Sequence, residues 1–189
     1  MIYWFCRTAV YLWLHIRFRI KIEGMENIPE GSCILGMNHT SNYDPLMVGS
    51  HVPRKMHIMA KEELFRNRIF AWLLSKFGAF PVKRGQADVK SLKQSLRLLQ
   101  EGKIFAIFLE GTRSKTEEMQ DPKKGIGFLV GKSEAPVIPT YIYGVKKGWR
   151  QQAGIVYGKP MTFAKGMDYT EIATAIAEAI KQLQHSMRH

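Results

Sequence analysis

Short runs of consecutive apolar residues alternate along this chain with longer stretches of helical spacing, and that alternation restricts the fold more than any other feature. The clearest run is Lys103-Ile104-Phe105-Ala106-Ile107-Phe108-Leu109, apolar at every position after the lysine. A strand that is apolar on both faces must be covered on both faces, which is the condition of a parallel sheet between helices. Ser32-Cys33-Ile34-Leu35 and residues 54–60, 136–143 and 153–157 read as further strands, and residues 78–85 as a short strand opening into a cationic turn. Helical stretches lie between them. One starts at Pro45; residues 61–77 carry Leu64, Phe65, Ile69, Phe70, Leu73, Leu74 and Phe77 at helical spacing. Residues 86–100 set Val89, Leu92, Leu96 and Leu99 on one face, residues 125–130 hold glycines that permit close packing, and residues 170–183 turn Ile172, Ile176, Ala179 and Ile180 inward. The expected fold is α/β: a single domain whose central, mostly parallel or mixed sheet is flanked by helices. A chain of 189 residues can bury one sizeable core and is short for two.

Residues 1–20 are strongly apolar and aromatic, with Arg7, Arg17 and Arg19 and no acid. A spanning helix needs around 20 mostly apolar residues, and the arginines leave this one short. A secretory leader would have a basic start and a small-residue cleavage site, and neither is present. Trp4, Tyr11 and Trp13 suit the boundary between lipid and water, where arginines reach headgroups with their stems buried. Residues 1–22 are therefore read as a helix lying in the membrane interface, ahead of a domain at 23–189. A core helix of that domain, or a full span, are the alternatives.

With 28 Lys and Arg against 16 Asp and Glu, the formal charge of +12 draws the chain toward anions: nucleic acid, an anionic bilayer or phosphorylated small molecules. Half of that charge lies in residues 51–84, where eight basic residues face Glu62 and Glu63. No basic recognition helix or paired aromatic strand motif appears, so nucleic acid is not an expected partner. Two cysteines make no disulfide framework, and Cys33, inside a strand, reads as a small core residue. Cys-x-x-Cys, His-x-x-x-His, Gly-x-Ser-x-Gly, the Walker loop and Gly-x-Gly-x-x-Gly are all missing.

Chemistry gathers where apolar runs end. After the first comes Asn38-His39-Thr40-Ser41-Asn42-Tyr43-Asp44-Pro45. A carboxylate near a histidine can fix the imidazole tautomer and stabilise the charge formed as the ring takes a proton. On an unbroken helix, five residues would set the two groups about 140° apart, so the pair works only if the chain curls back between them. The turn formers of Ser41 to Pro45 allow that. A solvated histidine beside an aspartate that caps the next helix is the plainer alternative. Two other strand ends carry Lys83 with Arg84, and Glu110-Gly111-Thr112-Arg113. Loops at the carboxyl ends of α/β strands share one crevice, so these segments together read as a base–carboxylate pair beside a phosphate-binding rim.

At these residues the chain resembles the glycerolipid acyltransferase family, in particular the 1-acyl-sn-glycerol-3-phosphate (lysophosphatidate) acyltransferases. Residues 38–45 match its first block, a His-x4-Asp motif. Gly78-Ala79-Phe80-Pro81-Val82-Lys83-Arg84-Gly85 is similar to the second block, Phe108-Leu109-Glu110-Gly111-Thr112-Arg113-Ser114 to the third, and Val137-Ile138-Pro139-Thr140 to the fourth. Leu109 departs from the proline usual before the glutamate. The resemblance implies transfer of an acyl group from acyl-CoA or acyl-carrier protein to the sn-2 hydroxyl of lysophosphatidate, without metal, cofactor or covalent acyl-enzyme. His39 would be the general base and Asp44 its orienter. Lys83, Arg84 and Arg113 would grip the phosphate, Glu110 would order the acceptor pocket, and Gly111 and Thr112 would shape its backbone. It implies a peripheral or monotopic protein on the cytoplasmic side of the cell membrane, drawn to an anionic surface. Glycerol 3-phosphate, another lysophospholipid or an acylated sugar are alternative acceptors. A non-catalytic basic binding module is the alternative to an enzyme.

Overall fold

The computed structural model describes residues 2–83, 88–114, 119–146 and 148–187. An N-terminal helix, α1 (Ile2–Arg17), leads directly into strand β1 (Arg19–Glu23). Then follow β2 (Cys33–Met37), α2 (Asp44–His51), β3 (Met56–Lys61), α3 (Arg68–Lys76), β4 (Ala79–Val82), α4 (Val89–Gln100) and β5 (Ile104–Phe108). The chain closes with α5 (Lys124–Ser133), β6 (Val137–Tyr143), β7 (Gln152–Tyr157) and α6 (Tyr169–Ser186).

The strands form one mixed sheet in the order β1-β7-β6-β2-β5-β3-β4. β6, β2, β5, β3 and β4 run parallel, β7 turns back antiparallel to β6, and β1 runs parallel to β7. The carboxyl ends of β2, β3, β4 and β5 therefore share one edge of the domain, where loops in such sheets carry function. β2 and β5 lie inside this sheet, and every residue of β2 is buried. This arrangement is the α/β fold expected from the alternation of apolar runs.

Helices cover both faces. Leu14 of α1, Met47 and Val48 of α2 and Leu74 of α3 pack with Leu35, Met37 and Ala106 on one face. Leu99 of α4, Leu129 and Val130 of α5 and Ile172, Ile176 and Ile180 of α6 pack with Ile34, Phe105 and Val137 on the other. The alternation of side chains along β2 and β5 sends successive residues to opposite cores. α5 meets α6 closely: a Cβ on Gly127 would lie 1.7 Å from the carbonyl oxygen of Tyr169, so only glycine permits that crossing.

Three local readings of the sequence are altered. Residues 1–22 do not form one helix: α1 stops at Arg17, and Arg19–Glu23 becomes an edge strand registered against Gln152 to Val156. Residues 61–77 split into a 3-10 turn at 62–65 and α3, because the Asn67 side chain caps a fresh helix by accepting from the N–H groups of Ile69 and Phe70. Val89 is exposed at the start of α4. Ser91 and Ser95 are buried there, because their hydroxyls bond the carbonyls of Pro81 and Ser91. Among the described residues, no helix is long and apolar enough to cross a membrane.

Candidate active site

β2 ends at Met37, and the next residue begins the site. Asn38 is buried and lays its side-chain amide against β6: Nδ2 donates to the carbonyl of Ile142, and Oδ1 accepts from its N–H. The side chain thus does the work of another backbone amide and anchors the loop as it leaves the sheet.

His39 and Asp44 meet. Nδ1 of His39 lies 2.9 Å from Oδ2 of Asp44, with Asp44 wholly buried and His39 7% exposed. The chain curls back through a turn in which the N–H of Asp44 donates to the carbonyl of Ser41. Asp44 opens α2 with Pro45 behind it, and its Oδ2 also accepts from the N–H groups of Thr40 and Ser41, both at 2.7 Å. That oxygen accepts from its backbone partners, so Nδ1 carries the proton toward it and Nε2 keeps the free lone pair. Oδ1 of Asp44 is buried with no hydrogen-bond partner among the described residues. The plainer alternative, a solvated histidine, is excluded by this burial and contact.

The third block, at the end of the neighbouring strand β5, holds His39. Oε1 of Glu110 accepts from the His39 N–H at 2.9 Å, and the N–H of Ser114 donates to the His39 carbonyl at 2.8 Å. Oε2 of Glu110 accepts from the N–H of Gln120. Burial pushes the Glu110 carboxyl above the ordinary glutamate range, partly opposed by those two N–H bonds. Phe108 lays its ring parallel to the imidazole, with centroids 3.8 Å apart at 12°. Ring, backbone and orienting carboxylate are thereby each held by a separate partner. Gly111 takes φ +68°, a left-handed conformation that glycine adopts without a Cβ penalty, and it lets the chain turn sharply after Glu110.

The charged rim is looser. Arg113 is exposed and donates from Nη1 to Oδ1 of Asn42, so it shares the turn that carries the His39–Asp44 pair. Thr112 is exposed beside it. Lys83 stands three strands from β2, about 14 Å across the sheet. It lines a groove of about 560 Å³ with Phe80, Pro81, Val89 and Gln94, and its N–H donates to Asp88. Arg84 lies outside the described residues. His39, Asp44 and Glu110 are joined by hydrogen bonds and Arg113 through Asn42, whereas Lys83 shares the edge without touching them.

Backbone N–H groups beside a catalytic base can stabilise an oxyanion when they are free to donate. Those of Thr40 and Ser41 are committed to Asp44, that of Tyr43 to Oγ of Ser41 and that of Asp44 to the Ser41 carbonyl. Asn38, Asn42, Phe108 and Ser114 were missed as positioning groups. Each sits inside a matched block, and that adjacency was the available signal. Burial of the Cys33 thiol pushes its pKa up to about 11, as suits a core cysteine.

This geometry agrees with similarity to known proteins. The family model described as Acyltransferase matches residues 19–143. The chain belongs to the acyltransferase family. It is 31% identical over 188 residues to the 1-acyl-sn-glycerol-3-phosphate acyltransferase of Bacillus subtilis, covering 95% of this chain and 94% of that one. It is 30% identical over 134 residues to the chloroplastic 1-acyl-sn-glycerol-3-phosphate acyltransferase BAT2 of Brassica napus, of which it spans 39%. The crystal structure of the 1-acyl-sn-glycerophosphate acyltransferase from Thermotoga maritima shares the fold, with a TM-score of 0.75 and 21% identity over 94% of this chain and 76% of that one.

Proposed function

We propose that this protein transfers a fatty acyl group from the thioester of acyl-CoA or acyl-carrier protein to the sn-2 hydroxyl of 1-acyl-sn-glycerol 3-phosphate, forming phosphatidate. The buried His39–Asp44 contact carries the reading, because it leaves Nε2 as a base at the catalytic edge. Nε2 takes the hydroxyl proton while the oxygen attacks the thioester carbonyl carbon. The tetrahedral intermediate collapses, the C–S bond breaks, and the imidazolium returns the proton to the leaving thiolate. Asp44 offsets the imidazolium charge, worth roughly 10²–10⁴ in rate together with the base. Glu110 acts through the His39 backbone rather than on the acceptor.

Arg113 and Lys83 bind the acceptor phosphate, with Arg84, Gly111 and Thr112 completing that rim. α1 rests at the membrane interface on the cytoplasmic side, with Trp4, Phe5, Leu12 and Ile16 exposed, and the net positive charge draws the domain to anionic lipid. The similarity to the Bacillus subtilis protein along nearly the whole of both chains supports this acceptor over glycerol 3-phosphate.

The test is transfer of a radiolabelled acyl group by purified protein across a matrix of donors and acceptors. Lysophosphatidate is expected to be the preferred acceptor, and His39→Ala to abolish transfer while the fold, read by circular dichroism, is kept. Full turnover by His39→Ala would sink the mechanism; preference for another acceptor would move the substrate.

A further inference from the structure

α1 is not the only part of its layer that turns apolar side chains outward. The 3-10 turn at 62–65 leaves the carboxyl end of β3, the edge that also carries His39, and α3 descends from there to the amino end of β4. Leu64, Ile69, Phe70 and Trp72 are exposed along this segment, Ile69 at 80%, and no residue of α3 is buried. The Asn67 cap fixes the first turn, so Ile69 and Phe70 are presented on a formed helix rather than on a frayed end. Arg66 and Arg68 are exposed beside them, and Lys76 lies 5.8 Å from the Trp72 ring. Glu62 and Glu63 share the preceding turn, where Glu63 is paired with Lys61.

We infer that residues 64–72 insert into an anionic phospholipid bilayer as a second contact, across the catalytic edge from the carboxyl end of α1. Aliphatic and aromatic side chains interleaved with arginine are the chemistry of the lipid–water boundary, where the ring or chain enters and the cation stays at the headgroups. The patch is also continuous with α1. The Tyr3 ring packs 6.0 Å from Phe77 at the end of α3, and Lys55 lies 5.5 Å from the Tyr3 ring. One interfacial helix leaves the domain free to roll about its axis. A second contact on a diverging helix stops that rotation and fixes the height of the His39 edge above the headgroups. The inference rests on the proposed reaction only in naming the membrane as the source of the acceptor.

Two measurements on vesicles of phosphatidylcholine with phosphatidylglycerol test it. In a chain carrying Trp4→Phe, Trp13→Phe and Trp149→Phe, fluorescence of the remaining Trp72 is expected to be quenched by lipids with brominated acyl chains. In an Ile69→Glu, Phe70→Glu chain, vesicle sedimentation is expected to fall roughly tenfold in partition coefficient, with more than half of the remaining binding lost in salt. Unquenched Trp72 in vesicle-bound protein, or unchanged partitioning of the double variant, overturns the inference. A solution dimer abolished by the double variant, with vesicle binding unchanged, assigns the face to a second copy and overturns it too. If the double variant does not fold, the Trp72 measurement decides, because there α3 keeps its other side chains. Neither arm reads acyl transfer. Vesicle-bound protein with quenched Trp72 and no transferase activity would remove the reaction and leave this contact standing.

Discussion

The two helix layers cover the same sheet and present opposite outer surfaces. α4 turns Lys90, Lys93, Gln94 and Arg97 to solvent, and α6 turns Glu171, Glu178, Lys181 and Gln182, so each buries one stripe and hydrates the other. In the layer of α1, α2 and α3 the outward residues include Phe5, Leu12, Ile16, Leu46, Ile69 and Trp72, whereas Val89 is the exposed large apolar residue on α4 to α6. The inner sides differ as well. α5 and α6 meet through backbone at Gly127, while the glycine of α2, Gly49, has the mobile Cε of Met56 as its near neighbour at 3.4 Å. The first layer also carries Asp44 at the head of α2. One layer is finished against water and tightly closed; the other holds Asp44 of the candidate pair and leaves large apolar side chains exposed.

The largest effect separating the layers is catalytic. Asp44→Asn keeps the shape and one accepting oxygen but removes the negative charge that offsets the His39 imidazolium, and turnover is expected to fall roughly 10²–10⁴-fold with the fold kept. Lys181→Ala on the opposite layer leaves turnover as it is; an equal loss in both would break the distinction. Glu110→Gln comes next, with a loss of about tenfold, since a neutral amide still accepts from the His39 N–H but holds it less strongly. Kinetics with both substrates saturating would read this in kcat.

Packing gives the third comparison. Gly127→Ala forces a Cβ into the Tyr169 backbone and is expected to cost about 2–3 kcal/mol, a fall of roughly 5–10 °C in melting temperature. Gly49→Ala meets only a flexible methyl group and gains helix propensity of up to about 1 kcal/mol. Calorimetry of the two variants showing equal losses would mean that the layers are equally close-packed.

The smallest effect lies where α1 rests on α2. His51 donates from Nδ1 to the Met47 carbonyl at 2.7 Å, which leaves its Nε2 to accept from Nε2 of His15, 3.2 Å away. Burial is the first cause that lowers its pKa from the ordinary 6.5; the nearby His15 and Arg7 lower it further, and the Met47 carbonyl opposes them. Because the folded value is the lower one, the unfolded chain binds more protons on the acid side. The stability this neutral ring contributes is complete above 6.5 and is lost as pH falls from there toward the folded value. His51→Gln should therefore lose less melting temperature than the parent between pH 7.5 and 5.5, by a few degrees, with the similarly lowered His57 still contributing in both. Identical acid limbs would show that the α1–α2 contact does not titrate.

Much of this was legible residue by residue. The apolar run at residues 104–109 specified a buried strand because nothing in it favours water, and Asn38 to Pro45 specified a turn because its side chains compete with helix formation. Arg19–Glu23 alternates charged and apolar residues as an edge strand should, but that period was absorbed into the aromatic stretch before it. Contacts between distant segments were not legible in the same way. The bond from the His39 N–H to Glu110 spans 71 residues, and nothing local to either residue encodes it.

The sequence by itself determined the alternating elements, the excess of positive charge and a turn that lets His39 and Asp44 meet, because each depends on residues near one another in the chain. Tertiary structure alone decided the strand order, the reversal at β7, the grip of Glu110, Phe108 and Ser114 on His39, and the distance that keeps Lys83 from it. It also decided that the apolar side chains of α1 and α3 share an outer face. A hydrophobic stripe is the same in sequence whether it meets a sheet or a membrane, and only the packing of the domain shows which stripes are left uncovered.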